Sequence, residues 1–227
     1  MEAKAILWDL NGVLLLDEPL QKQCRQQALQ EFEIVLPLNW WADLFLGRNM
    51  LDSLPEAFPY LSPDQIQALL TRKQQIYAAE AERSGWPVNE GALEMMKAAK
   101  REGWQQALVT GALAQEAQEA IQQLGAEALF DAVIDGQQVS QGKPSPEGYL
   151  QAAELLRLPA AQCWAIEDSL PGLQAAKQAG CLCLAFTSSM DAKQMSAADL
   201  IVSSLSSSVL GALKLPESGC ASERRLG

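Results

Sequence analysis

A chain of 227 residues, 48% of them hydrophobic, suits one large domain or a domain with a substantial insert. Its formal charge of −11, with no basic cluster longer than Arg224-Arg225, argues against a nucleic-acid or anionic-membrane surface. It contains no histidine, which excludes Ser-His-Asp and Cys-His nucleophile systems and histidine-ligated zinc.

Met1-Glu2-Ala3-Lys4 runs straight into an apolar stretch over residues 5–16, so no signal peptide is expected. No apolar run approaches the roughly 18 residues of a membrane span. Cys24, Cys163, Cys181, Cys183 and Cys220 are an odd set scattered mostly through apolar segments. They are expected to be reduced core thiols of a cytoplasmic protein. Cys181 and Cys183 have the wrong spacing for a redox or zinc pair and are expected at alternate positions of one strand.

The apolar stretch reads as a buried strand with Asp9 at its C-terminal end and Gly12 in the turn beyond. A carboxylate there is costly to bury for structure alone. Residues 17–86 then show helical spacing over 21–32, 51–57 and 63–83, with no convincing strand. Strands and helices alternate from about residue 90. Helices are expected over 92–101, 113–124, 146–156 and 170–179, and strands over 106–109, 132–134, 164–166, 181–186 and 200–202. Gly125 and Gly180 stop two of the helices. Alternation of this kind predicts an α/β fold, a Rossmann-like doubly wound parallel sheet with an inserted all-helical cap. The core is assigned to 1–16 and 87–213, the cap to 17–86, and the tail 214–227 is expected to be unpacked.

Four segments each follow an apolar strand and carry reactive or anion-binding groups. They are Asp9 with Asn11, Thr110-Gly111, Lys143-Pro144 in the loop after the third strand, and Glu167-Asp168. A parallel sheet brings all four to one edge, where ligands bind. Asp9 and Asp168, with the backbone carbonyl of Asn11, suit a hard divalent cation, Mg²⁺ above all. An Asp9 oxygen can attack phosphorus to form an aspartyl-phosphate. Lys143 neutralises Asp9 and the phosphoryl oxygens, and the Thr110 hydroxyl and Gly111 N–H donate to them. Glu167 holds metal-bound water or orients Lys143. Ser169 reads as a helix cap.

These segments resemble the haloacid dehalogenase superfamily, in the branch of β-phosphoglucomutase and phosphoglycolate phosphatase. Asp9-Leu10-Asn11-Gly12-Val13-Leu14 corresponds to its first motif, with Asp17-Glu18-Pro19-Leu20 resembling the Ser-Glu-Pro-Leu that follows. Val109-Thr110-Gly111 matches the second, Gly142-Lys143-Pro144-Ser145-Pro146-Glu147 the third, and Ile166-Glu167-Asp168-Ser169-Leu170-Pro171-Gly172-Leu173 the fourth. The resemblance extends to about residue 205. It implies a Rossmann-like core, an inserted helical cap and Mg²⁺-dependent phosphoryl transfer. A small phosphorylated metabolite is the expected substrate, and a monomer or weak dimer with no nucleic-acid or membrane partner is expected.

Asn11 departs from the pattern, which has an aspartate there as general acid and base. An amide cannot take or deliver that proton, and losing such a group costs about 10²–10⁴-fold in rate. An introduced substitution, a natural low-activity or binding variant, and adaptation to substrates needing little acid assistance each account for it. Asp17 or Glu18, near the cap junction, are candidates to replace the base. Phosphatase is favoured over mutase, because Ala112-Leu113-Ala114-Gln115 offers no cation where the mutase carries one. The rival reading is a catalytically weak member that binds a phosphorylated ligand or a partner. In the insert, Arg48 is a candidate clamp on a second anionic group, and Glu18 a candidate substrate contact. Trp40-Trp41 are candidates to line the cleft, though the tryptophans read mainly as packing.

Overall fold

The structure, a computed structural model, describes residues 4–215. Cys220 and most of the segment expected to be unpacked lie outside them. Six strands, β1 (Ala5–Trp8), β2 (Gln105–Val109), β3 (Ala132–Ile134), β4 (Cys163–Glu167), β5 (Leu182–Phe186) and β6 (Leu200–Val202), form one wholly parallel sheet. Their order is β3-β2-β1-β4-β5-β6. Helices α4 (Glu90–Arg101) and α5 (Ala114–Leu124) cover one face, and α6 (Glu147–Leu155) and α7 (Leu170–Ala179) the other. With both faces covered, β1 is apolar at every position and β4 as far as Ile166, rather than alternately. In β1, Ile6 and Trp8 pack toward α4 and α5, whereas Ala5 and Leu7 pack toward α6 and α7.

Only the first four residues of the apolar stretch 5–16 are strand. Beyond Asp9 the chain turns at Gly12, where φ is +80°, and returns through Leu15, which bridges to Asn11 and Val88. The remaining apolar side chains of the stretch fill the space beneath this turn, except Leu16, which is 46% exposed. Cys181 lies just before β5 rather than within it, yet it is buried against the same cluster as Cys183. The four described cysteines are buried free thiols.

Between β1 and α4 stand three helices, α1 (Glu18–Glu31), α2 (Met50–Ala57) and α3 (Pro63–Ser84), with one π-helical turn at Trp41–Phe45 and no strand among the described residues. The start of α3 is fixed locally. The Ser62 hydroxyl accepts from Gln65 N–H while the Gln65 side chain accepts from Ser62 N–H, with Pro63 in the first turn. The insert has its own apolar centre around Leu29, Phe45, Leu54 and Leu69. Trp40 and Trp41 belong to that centre, stacked edge-on with each other at 5.5 Å, and do not line the cleft. Apolar spacing sets both residues apart from a surface loop but does not say which side of the insert they face.

Candidate active site

The strand order reverses at β1 and β4, so a crevice opens at their carboxyl ends. The Asp9 amide, one residue beyond β1, donates to Ile166 O of β4 (3.1 Å), and the Thr110 amide, one beyond β2, donates to Ile134 O of β3 (2.9 Å). These ladder bonds carry the sheet one step further and set Asp9 and Thr110 side by side on its rim. Asp168 follows Glu167 at the end of β4.

Lys143 is the centre of this rim. Its ammonium reaches Asp9 Oδ1 and Glu167 Oε1, each at 2.6 Å, and Val109 O at 3.1 Å, from a loop whose Lys143-Pro144 peptide is cis. Burial alone lowers a lysine, but the two carboxylates outweigh it and hold Lys143 above its ordinary range, firmly charged. Burial lifts Asp9 to about 7, against the pull of Lys143 and with a push from Glu167. Asp168 is raised too, by burial and then by Asp9, Glu18 and Glu167.

Asp9, Glu167 and Asp168 each offer an oxygen within 4.8 Å of the others. This crowding of like charge is the condition that a divalent cation relieves, and the donors are the hard oxygens that Mg²⁺ takes. Room for Asp168 depends on Gly12, because a Cβ there would stand 1.8 Å from Asp168 Oδ2. Asp168 also accepts from the Ser189 hydroxyl, while Ser188 Oγ donates to Gly12 O (2.6 Å). Glu167 is already engaged. Tyr149 donates to its Oε1 (2.5 Å) and Ser169 to its Oε2 (3.2 Å). Ser169 also caps α7, accepting from Gly172 N–H. Thr110 Oγ1 accepts from Ala112 N–H (3.0 Å), which leaves its own proton for a ligand.

The insert closes over this rim. Asp9, Asn11, Gly111 and Lys143 from the sheet side share one cleft with Glu18, Gln21, Arg25, Arg48, Lys73 and Gln74 from the insert. Asn49, at the start of α2, donates to Gly136 O (3.0 Å), and Asp52 accepts from Gly142 N–H (2.8 Å), next to Lys143. Lys73 of α3 pairs with Glu116 of α5 at 2.6 Å. Arg48 lines the cleft but its guanidinium pairs with Glu56. Asn11 Nδ2 donates to Asp17 Oδ2 (2.7 Å), an oxygen that also receives Gln21 Nε2 and Tyr77 OH, each at 2.8 Å.

The structure thus gathers Asp9, Asn11, Gly111, Lys143, Glu18 and Arg48 on one cleft, with Glu167 and Asp168 beneath it and Thr110 beside Lys143 along the same loops. Sequence reasoning missed Tyr149, Ser188, Ser189, Asn49, Asp52 and the Lys73–Glu116 pair. The serines follow β5, so the strand-end rule that found the other residues reaches them as well. Nothing local marks Tyr149 or Lys73, because each finds its partner across the fold.

A doubly wound sheet with a carboxylate-lysine cluster at its switch point and a helical insert above it defines an α/β protein with an aspartate-centred site. The profile of the haloacid dehalogenase-like hydrolases matches residues 3–180, and the chain belongs to that family. Among its relatives, validoxylamine A 7'-phosphate phosphatase of Streptomyces hygroscopicus subsp. limoneus is 27% identical over 89% of this chain and 94% of its own length. Hexitol phosphatase A of Escherichia coli (strain K12) is 28% identical over 90% and 93%. A solved β-phosphoglucomutase of Clostridium difficile superposes with a TM-score of 0.77, covering 89% of this chain and 92% of that one, at 20% identity, a likeness of fold.

Proposed function

We propose that the protein is a Mg²⁺-dependent phosphatase of small phosphorylated carbohydrates, with Asp9 as nucleophile. The observation that carries this reading is the buried Asp9, held by Lys143 at 2.6 Å on the floor of a cleft roofed by the insert. Asp9, Asp168 and the Asn11 carbonyl would hold the ion, with Glu167 behind them. When bound, the ion supplies positive charge that offsets the phosphoryl oxygens.

The chain's own residues do the rest. An Asp9 oxygen bonds to phosphorus as the bond to the leaving oxygen breaks, and water then cleaves the acyl phosphate to release phosphate and restore Asp9. Lys143 keeps Asp9 oriented and, with the Thr110 hydroxyl and Gly111 N–H, stabilises charge on the phosphoryl group. Residues 17–86 act as a cap on the core formed by 1–16 and 87–213, and their closure excludes water.

The carbohydrate part rests on charge. Two of the insert cations on the cleft are paired, Arg48 with Glu56 and Lys73 with Glu116, while Arg25 donates to Phe45 O and lies over the Trp41 ring. A neutral, hydroxyl-bearing leaving group fits such a wall better than a second phosphate or carboxylate, which favours this role over Arg48 as an anion clamp. The names of the hexitol and validoxylamine phosphate phosphatases point the same way.

A panel of hexitol and hexose monophosphates, a sugar bisphosphate and phosphoglycolate, assayed with Mg²⁺, tests the reading. Turnover is expected on the monophosphates, weaker on substrates with a second anion, and lost in Asp9→Asn. Asn11 favours a second reading, a weak member that binds phosphorylated ligands without turning them over. Tight binding with no phosphate release, by this chain and by Asn11→Asp alike, would decide for that one.

A further inference from the structure

We propose that Glu18 supplies the proton transfer that the amide of Asn11 cannot, as general acid to the leaving oxygen and then as general base to the attacking water. The inference rests on the phosphatase reading above. Transfer of a phosphoryl group from an alkoxide-like sugar oxygen needs a proton delivered as the P–O bond breaks. Hydrolysis of the acyl phosphate needs one removed from water as the new P–O bond forms. One carboxyl can do both in turn, donating its proton in the first step and recovering it from water in the second.

Asn11 is unable to fill this role, and its amide is already committed. An amide has no proton to exchange at neutral pH, and Asn11 Nδ2 is fixed on Asp17. Asp17 is no substitute. It is wholly buried, its Oδ2 carries three donors, and it does not line the cleft. Asp17 is therefore a positioning residue for Asn11.

Asp17 Oδ1 is also without a partner among the described residues, but it is sealed off from the cleft, whereas Glu18 is half-buried on the cleft wall. It opens α1 and lines the cleft together with Asp9, Asn11 and Lys143. Its Oε2 is enclosed yet has no hydrogen-bond partner among the described residues. Buried carboxyl oxygens are almost always satisfied, so an orphan on a substrate cleft marks a group kept for a ligand. The charges that act on it come from every side: Arg25 on its own helix, Asp17 before it, Lys73 on α3, and Glu167 from the end of β4. Arg48, Glu116 and Lys143 line the same cleft. Burial raises the carboxyl to about 7, with Arg25 and Lys73 opposing, so both protonation states are populated near neutrality.

The test is kcat on a hexitol phosphate for this chain, Glu18→Gln, Asn11→Asp, and the double variant Asn11→Asp with Glu18→Gln. The glutamine keeps the shape and removes only the proton. Glu18→Gln is expected to lower kcat about 10²–10⁴-fold with KM little changed. The double variant is expected to recover most of the loss, because an aspartate at position 11 restores a proton carrier. Activity of Glu18→Gln within a few-fold of the parent overturns the assignment while leaving the phosphatase intact. Failure of the double variant to recover, where Asn11→Asp alone is active, overturns it too, since the loss is then structural. If neither the parent nor Asn11→Asp turns over any phosphate, the phosphatase reading fails and takes this inference with it.

Discussion

Glu167 has no exposed surface, and a carboxyl group buried there needs hydrogen-bond partners for both oxygens. Lys143 and Tyr149 serve one oxygen and Ser169 the other. Burial, followed by the negative charges of Glu167 and Asp9, keeps the Tyr149 phenol far above its ordinary range, so it remains a donor at any working pH. Tyr149→Phe keeps the ring in its fully buried place and removes only this bond. It is expected to lower unfolding stability by about 1–3 kcal/mol, the cost of leaving a buried charged acceptor short of a donor. Urea denaturation measures this directly, and a variant as stable as the parent would show that Lys143 and Ser169 suffice. The places of Asp9 and Asp168 on the rim were legible in the sequence because a polar residue ending a buried strand stands out. Tyr149 was not, since a tyrosine on an apolar helix face reads simply as core.

At the level of elements, α3 and α5 are joined by Lys73 and Glu116, whose side chains are 5% and 19% exposed. Burial tends to raise Glu116, but Lys73 outweighs it and leaves the carboxyl below its ordinary value. A carboxyl lowered in the folded state contributes stability that is fully present above its unfolded pKa of about 4.5 and lost as pH falls through the lower folded value. Glu116→Leu strands a buried ammonium and is expected to cost about 3 kcal/mol, whereas Lys73→Met with Glu116→Leu is expected to be near neutral at pH 7. The advantage of the parent over Glu116→Leu should shrink between pH 5 and pH 3; a gap that stays constant or widens there would contradict the pairing. Helix limits were readable to within a few residues, because the cap Ser169 and the stops Gly125 and Gly180 act locally. The π-helical turn at Trp41–Phe45 was missed, since residues 37–46 carry no cap and no clear period. The pairing of Arg48 with Glu56 was also out of reach, because eight residues of sequence do not fix how a loop arginine turns.

Across the whole molecule, one parallel sheet brings residues from separate strand ends to a single point, and a helical insert lines the cleft above it. The alternation of strands and helices made the sheet legible, and the helix-only stretch between β1 and α4 made the insert legible. Of the cleft between them, Asp9, Asn11, Gly111, Lys143, Glu18 and Arg48 were named from the sequence, whereas Gln21, Arg25, Lys73 and Gln74 on its insert wall were not, because they meet the sheet side only on folding. Among the described residues no helix is long and apolar enough to cross a membrane. The central claim is that phosphate passes through Asp9. Rapid acid quench of the enzyme with a ³²P-labelled hexitol phosphate and Mg²⁺, followed by peptide mapping, tests it most directly. The account predicts hydroxylamine-labile label on the peptide that carries Asp9 and none in Asp9→Asn. Turnover without label there, or label that survives the substitution, would contradict it.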